Sequence, residues 1–126
     1  MRKIIEGDVD LSGLLLTELL DLSDVAMNGY FFCSNNYLTN LVGSPHTVKG
    51  SFFCRNNLLD SLEGAPKEVK GCFSCEGNTL TSLKGIPKTI IDHFTIDRSL
   101  KDRFPEEYIR SLSEIGGMVC YVYGNV

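Results

Sequence analysis

A chain of 126 residues with 43% hydrophobic content is large enough for one domain with a buried core. Its net charge of −4 argues against a phosphate-binding surface, which needs a basic face, and is too mild for a mimic of DNA. No apolar run reaches the ~18 residues of a membrane span, and the start MRKIIEGDVD lacks the apolar core of a secretion signal, so a cytoplasmic protein with no nucleic-acid, membrane or cofactor partner is expected.

Residues 1–27 are acidic and leucine-rich, with Glu6, Asp8, Asp10, Glu18, Asp21 and Asp24 against Arg2 and Lys3. Val9 and Leu11 are two apart, the spacing of side chains on one face of a strand. Leu16, Leu19, Leu22 and Val25 follow. This segment anticipates a pattern that becomes regular at residue 28, and it reads as an imperfect coil capping the N-terminal end. A charged end strand also resists edge-to-edge pairing.

Residues 28–91 contain three tandem copies of one 21-residue unit, beginning at Gly29, Gly50 and Gly71. Phe31, Phe52 and Phe73 are each followed two residues later by Cys33, Cys54 and Cys75. Then come Asn36, Asn57 and Asn78, two leucine positions (Leu38, Leu59, Leu80 and Leu41, Leu62, Leu83), and a Gly-x-Pro return ending at Val48, Val69 and Ile90. A short strand, an asparagine turn and a return make one coil, which buries its apolar face only by stacking on its neighbours. The asparagines predict a ladder of side-chain amides bonded to turn backbone groups. The glycines suit positive φ and the prolines an extended return, so the opposite side is expected to consist of turns and extended segments.

The run Phe-x-Cys-x-x-Asn-x-Leu resembles the second half of a leucine-rich repeat, with Phe and Cys in two of the leucine places. The short unit with its proline return is similar to the bacterial kind. Its Cys-x-x-Asn and Leu-x-Gly-x-Pro wording resembles short repeat proteins encoded by bacteriophages and bacteria. The resemblance implies a mainly β solenoid of leucine-rich-repeat type, with about five short parallel strands on one face. It implies a non-enzymatic protein-binding role, and more narrowly an inhibitor or modulator of a host protein, such as a defence component.

The five cysteines are an odd count, and three of them form a column with adjacent members about 4.8 Å apart. Buried apolar filling is the favoured reading, ahead of a disulfide or a metal site, because a one-sided column does not converge tetrahedrally. Residues 92–97 continue the strand register, with Phe94 and Ile96 in the Phe and Cys columns, and Ser99 ends the asparagine ladder. The run RFPEEYIRSLSEIGG, residues 103–117, reads as a capping helix with Pro105 in its first turn, Gly116 after its end and an apolar stripe of Phe104, Tyr108, Ile109, Leu112 and Ile115. Residues 118–123 read as a terminal strand, so that residues 92–126 hold the last coil and the C-terminal cap of a single domain.

Strand alternation exposes the residues between the buried ones. On that face lie Asp8, Asp10 and Ser12, then Tyr30, Phe32 and Ser34, then Ser51, Phe53 and Arg55, then Cys72, Ser74 and Glu76, and finally His93, Thr95 and Asp97. Tyr30, Phe32 and Phe53 beside Arg55 form an aromatic-cationic patch of the kind enriched at interfaces. The candidate partner-binding residues are therefore Tyr30, Phe32, Phe53, Arg55, Glu76, His93, Asp97, Asp8 and Asp10, and the expected partner is a protein. Self-association into a homo-oligomeric or adaptor structure is the alternative. A Cys72–His93 nucleophilic pair is a weaker third reading, since an open strand face supplies no pocket.

Overall fold

Residues 2–123 are described by the computed structural model, and they form a parallel β-solenoid of about six turns with one short helix. The strands run in chain order as β1 (Lys3–Glu6), β2 (Val9–Asp10), β3 (Val25–Asn28), β4 (Phe31–Phe32), β5 (Thr47–Val48), β6 (Phe52–Phe53), β7 (Glu68–Val69), β8 (Phe73–Ser74), β9 (Thr89–Ile90), β10 (Phe94–Asp97), β11 (Glu114–Ile115) and β12 (Val119–Val122). The odd-numbered strands up to β11 form one sheet, and the even-numbered ones form a second in the order β12-β10-β8-β6-β4-β2.

The repeat period sets the register. Phe31 pairs with Phe52, Phe52 with Phe73, and Phe73 with Phe94, so each column places identical side chains on adjacent rungs. The four phenylalanines are fully buried and stack with ring centroids 5.2–5.9 Å apart. Beside them run the buried thiols of Cys33, Cys54 and Cys75, continued by Ile96, and the two leucine columns. The Val48–Val69–Ile90 column closes the core from the other sheet.

The side expected to hold only turns and extended segments instead carries that second ladder. Each return ends in a two-residue strand, and Thr47, Glu68 and Thr89 pair in register. Each proline sits buried two residues before its strand, where a missing N–H leaves no bond unmade. Gly64 shows why the return needs glycine. It lies at φ +91° in a turn closed by the Ala65 amide donating to the Leu62 carbonyl, and a Cβ there would collide with the Val42 amide.

Two further corrections concern the ends. The N-terminal coil begins with a four-residue strand, β1, that pairs with Val25–Asn28. The C-terminal helix, α1, is shorter than expected, running only over Glu106–Leu112. Ser113 is extended and donates its hydroxyl to the Pro87 carbonyl, while the Glu114 and Gly116 amides donate to the Lys88 and Ile90 carbonyls. Two ladder bonds and Ile115 in the sheet core outweigh one more helical turn. Of the expected stripe, Phe104 and Ile109 are buried, while Tyr108 and Leu112 remain largely exposed. Arg110 ties the segment down: it pairs with Glu106 and donates to the Ile115 and Gly117 carbonyls. The terminal strand β12 pairs parallel to β10, Phe94 opposite Val119.

Candidate partner-binding surface

On the second sheet the pleat separates two kinds of aromatic. Phe31 and Phe52 point inward, while Phe32 and Phe53, their immediate neighbours, point outward and are only partly covered. Phe32 and Phe53 stack with centroids 5.2 Å apart and planes 7° from parallel. Tyr30, 46% exposed, lies 6.0 Å from Phe32 and 6.4 Å from Phe53. The Arg55 guanidinium sits 5.0 Å from the Phe53 centroid, a cation held against the electron-rich face of the ring. Its Nε is 3.9 Å from a Glu76 carboxylate oxygen, and Ser74 donates to the other oxygen at 2.6 Å. Tyr30, Phe32, Phe53, Arg55 and Glu76 therefore form one connected group.

The remaining candidates lie at the margins or are spent on structure. Asp8 accepts the Tyr30 amide at 2.8 Å and Asp10 the Ser12 amide at 2.9 Å, both on the outer rung. His93 stands at the far end of the face. Its Nδ1 accepts the Met118 amide at 2.8 Å, so the neutral ring carries its proton on Nε2, 3.2 Å from the Asp92 carboxylate. Both nitrogens are engaged, which leaves neither for a Cys72 thiol. Asp97, expected to be exposed, is buried. Its carboxylate accepts the Gly77 amide at 2.9 Å, a bond that the Arg55 and Glu76 backbone carbonyls make to the Asn35 and Asn56 amides in the preceding coils. A rule of strict alternation misses this, because β10 ends at Asp97 and the chain leaves the strand there through the 3-10 turn Arg98–Leu100.

A shallow depression beside the rings is lined by Ser12, Ser34, Asn35 and Asn56 as well as Phe32, Phe53 and Arg55. Asn35 and Asn56 both adopt positive φ, and the Asn56 amide donates to the Asn35 side-chain carbonyl. Strand alternation does not single out these corner asparagines. The sequence does carry a signal for them, since Asn35-Asn36 and Asn56-Asn57 are paired asparagines, the non-glycine residue that best tolerates the left-handed region.

Among the described residues, no cluster of His, Cys, Asp and Glu is arranged to hold a metal ion. Cys33, Cys54 and Cys75 are buried free thiols whose pKa values burial pushes far up, so they stay protonated and inert. Cys72 and Cys120 are partly exposed. In a thiol titration of the native protein, two of the five cysteines should react promptly and the other three only after denaturant is added. Five prompt reactions would show that the column opens readily.

Comparison with protein-family models, with curated proteins and with solved structures finds no match.

Proposed function

We propose that the chain is a non-catalytic protein-binding solenoid of the short leucine-rich-repeat kind. It recognises a partner protein on the even-strand sheet. The observation that carries this reading is the outward-facing, partly exposed stack of Tyr30, Phe32 and Phe53 with Arg55 laid over its end. Rigid aromatics lose little entropy on binding, and arginine with tyrosine is typical of the few residues that dominate interface energies. The scaffold fixes their spacing before a partner arrives, which lowers the ordering cost of association. The phage-like wording of the repeat supports a bacterial host protein as the target and inhibition or modulation, for example of a defence system, as the outcome.

Tagged chain and two variants, Phe53→Asp and Arg55→Glu, test the reading in affinity purification from bacterial lysate. One protein should be retained by the wild type and lost by both variants, with circular dichroism showing all three folded. Equal recovery on wild type and variants would place binding elsewhere. Self-association is the second reading, favoured by the parallel edges that β2 and β12 leave at opposite ends of one sheet. It requires an apparent mass that rises with concentration in size-exclusion chromatography.

A further inference from the structure

The corner and return that follow each asparagine form a third face of the solenoid, between the two sheets. On the first three coils this face is apolar. Leu15, Tyr37 and Leu58 occupy one column, each immediately before a leucine directed inward. The Tyr37 amide donates to the Leu16 carbonyl and the Leu58 amide to the Leu38 carbonyl, which sets the column on adjacent rungs. Leu20 and Val42 form a second column, with Glu63 and Lys84 continuing it. All five apolar side chains are between 51% and 73% exposed. They lie on successive coils in two columns of one face, a strip grouped in place of the single scattered apolar residues that need no explanation. Leu15 adds strain, holding φ +60°, a region that a bulky side chain rarely adopts, with its side chain in solvent.

Charge identifies what would cover the strip. The whole net charge of −4 resides in residues 1–24, which hold two basic residues against six acidic ones. No lysine or arginine occurs between Lys3 and Lys49 or between Arg55 and Lys67. The strip is rimmed by Glu18, Asp21, Asp60 and Glu63, and it ends where Lys84 takes over the column. Asp21 accepts two hydrogen bonds from Ser23, which hold its pKa below the usual carboxylate value. Such a rim repels nucleic acid and anionic lipid and attracts cations.

We infer that this third face is a second docking surface, and that its occupant is a basic peptide segment whose apolar side chains cover Leu15, Leu20, Tyr37, Val42 and Leu58 while its lysines or arginines meet the acidic rim. The surface meets the aromatic patch across the Asn35 and Asn56 corner, so one solenoid can hold two segments, or two parts of one partner.

The test pans a random dodecapeptide phage library on the immobilised full chain, with the leading peptide then measured by fluorescence anisotropy. Enriched sequences should combine apolar residues with net positive charge. Affinity should fall at least about tenfold in Val42→Asp/Leu58→Asp and in Asp60→Lys/Glu63→Lys, and should be unchanged in Phe53→Asp. The substituted side chains are exposed or lie at the surface, and circular dichroism checks each fold. Failure to enrich any peptide, enrichment of neutral or acidic sequences, or undiminished binding to both double variants would overturn the inference. So would a wild-type dimer that Val42→Asp/Leu58→Asp converts to monomer, since the strip would then be covered by a second copy. Loss of binding in Phe53→Asp alone would return the peptide to the aromatic patch.

Discussion

Asn57→Ala is expected to lower folding stability by about 2–5 kcal/mol. The side chain closes four hydrogen bonds. Its carbonyl accepts the Leu38 amide at 3.0 Å, and its amide nitrogen lies 3.0–3.3 Å from the carbonyls of Cys33, Cys54 and Arg55. The groups do not suffer equally. Cys33 and Cys54 keep Asn36 and Asn78, and Arg55 keeps the Asn35 amide. The buried Leu38 amide keeps nothing. One stranded amide costs about 1–3 kcal/mol, and the loss of two N–H donors, shared among three carbonyls that each keep another bond, adds about 1–2 kcal/mol in all. Urea denaturation measures the sum, and a loss below about 1 kcal/mol would show that water replaces the amide freely.

Asn57→Asp sharpens the same point. A carboxylate can still accept the Leu38 amide, but it faces three carbonyls with no proton to give. Its pKa in the folded protein therefore rises above the unfolded value near 3.9. A raised folded pKa means that stability is greatest below the unfolded pKa and is lost as pH climbs through the folded one. The aspartate variant should thus gain stability relative to the alanine variant when both are titrated from pH 7 toward pH 4. Parallel curves would mean that the carboxylate has found another donor.

The scaffold is legible in the sequence because it repeats. Phe, Cys, Asn, Leu, Gly and Pro recur every 21 residues, and recurrence alone fixes which side chains share a column. Two-residue strands are another matter. Thr47–Val48, Glu68–Val69 and Thr89–Ile90 are too short for a periodic signal, and they become a sheet only because stacking brings copies of them together. The helix end misleads for a related reason. Residues up to Ile115 carry a helical stripe, but the β9 edge offers Glu114 and Ile115 hydrogen bonds that no local pattern encodes. At the site, alternation places Tyr30, Phe32, Phe53 and Arg55 outward, as they are. It fails at Asp97, where chain direction changes, and it overlooks Leu15, Leu20, Tyr37, Val42 and Leu58. Leucines at recurring positions of a coil invite the assumption of burial. Recurrence marks Leu59, with Leu38 and Leu80 at its position, as a core residue, and leaves its neighbour Leu58 exposed.

Phe52→Ala and Phe53→Ala should differ sharply, although the two residues are neighbours. Phe52 is fully buried, with ring centroids 5.3 Å from Phe31 and 5.2 Å from Phe73. Truncating it opens a cavity in the middle of the column and removes contact to both adjacent coils, at about 3–5 kcal/mol. At roughly 3 °C per kcal/mol for a domain of this size, the melting temperature should fall by about 10–15 °C. In a solenoid the loss is also topological: stability is carried by nearest-neighbour interfaces, and Phe52 belongs to two of them. Amide exchange should therefore quicken on both sides, in β4 and β8 together, and not in β6 alone. Phe53→Ala leaves the core untouched, removes an outward ring from the stack with Phe32, and should cost about 1 kcal/mol or less. The contrast bears on function, because the binding test depends on Phe53 being dispensable for folding. If Phe53→Ala proved as damaging as Phe52→Ala, the aromatic stack would be part of the scaffold and its exposure would be no argument for a partner.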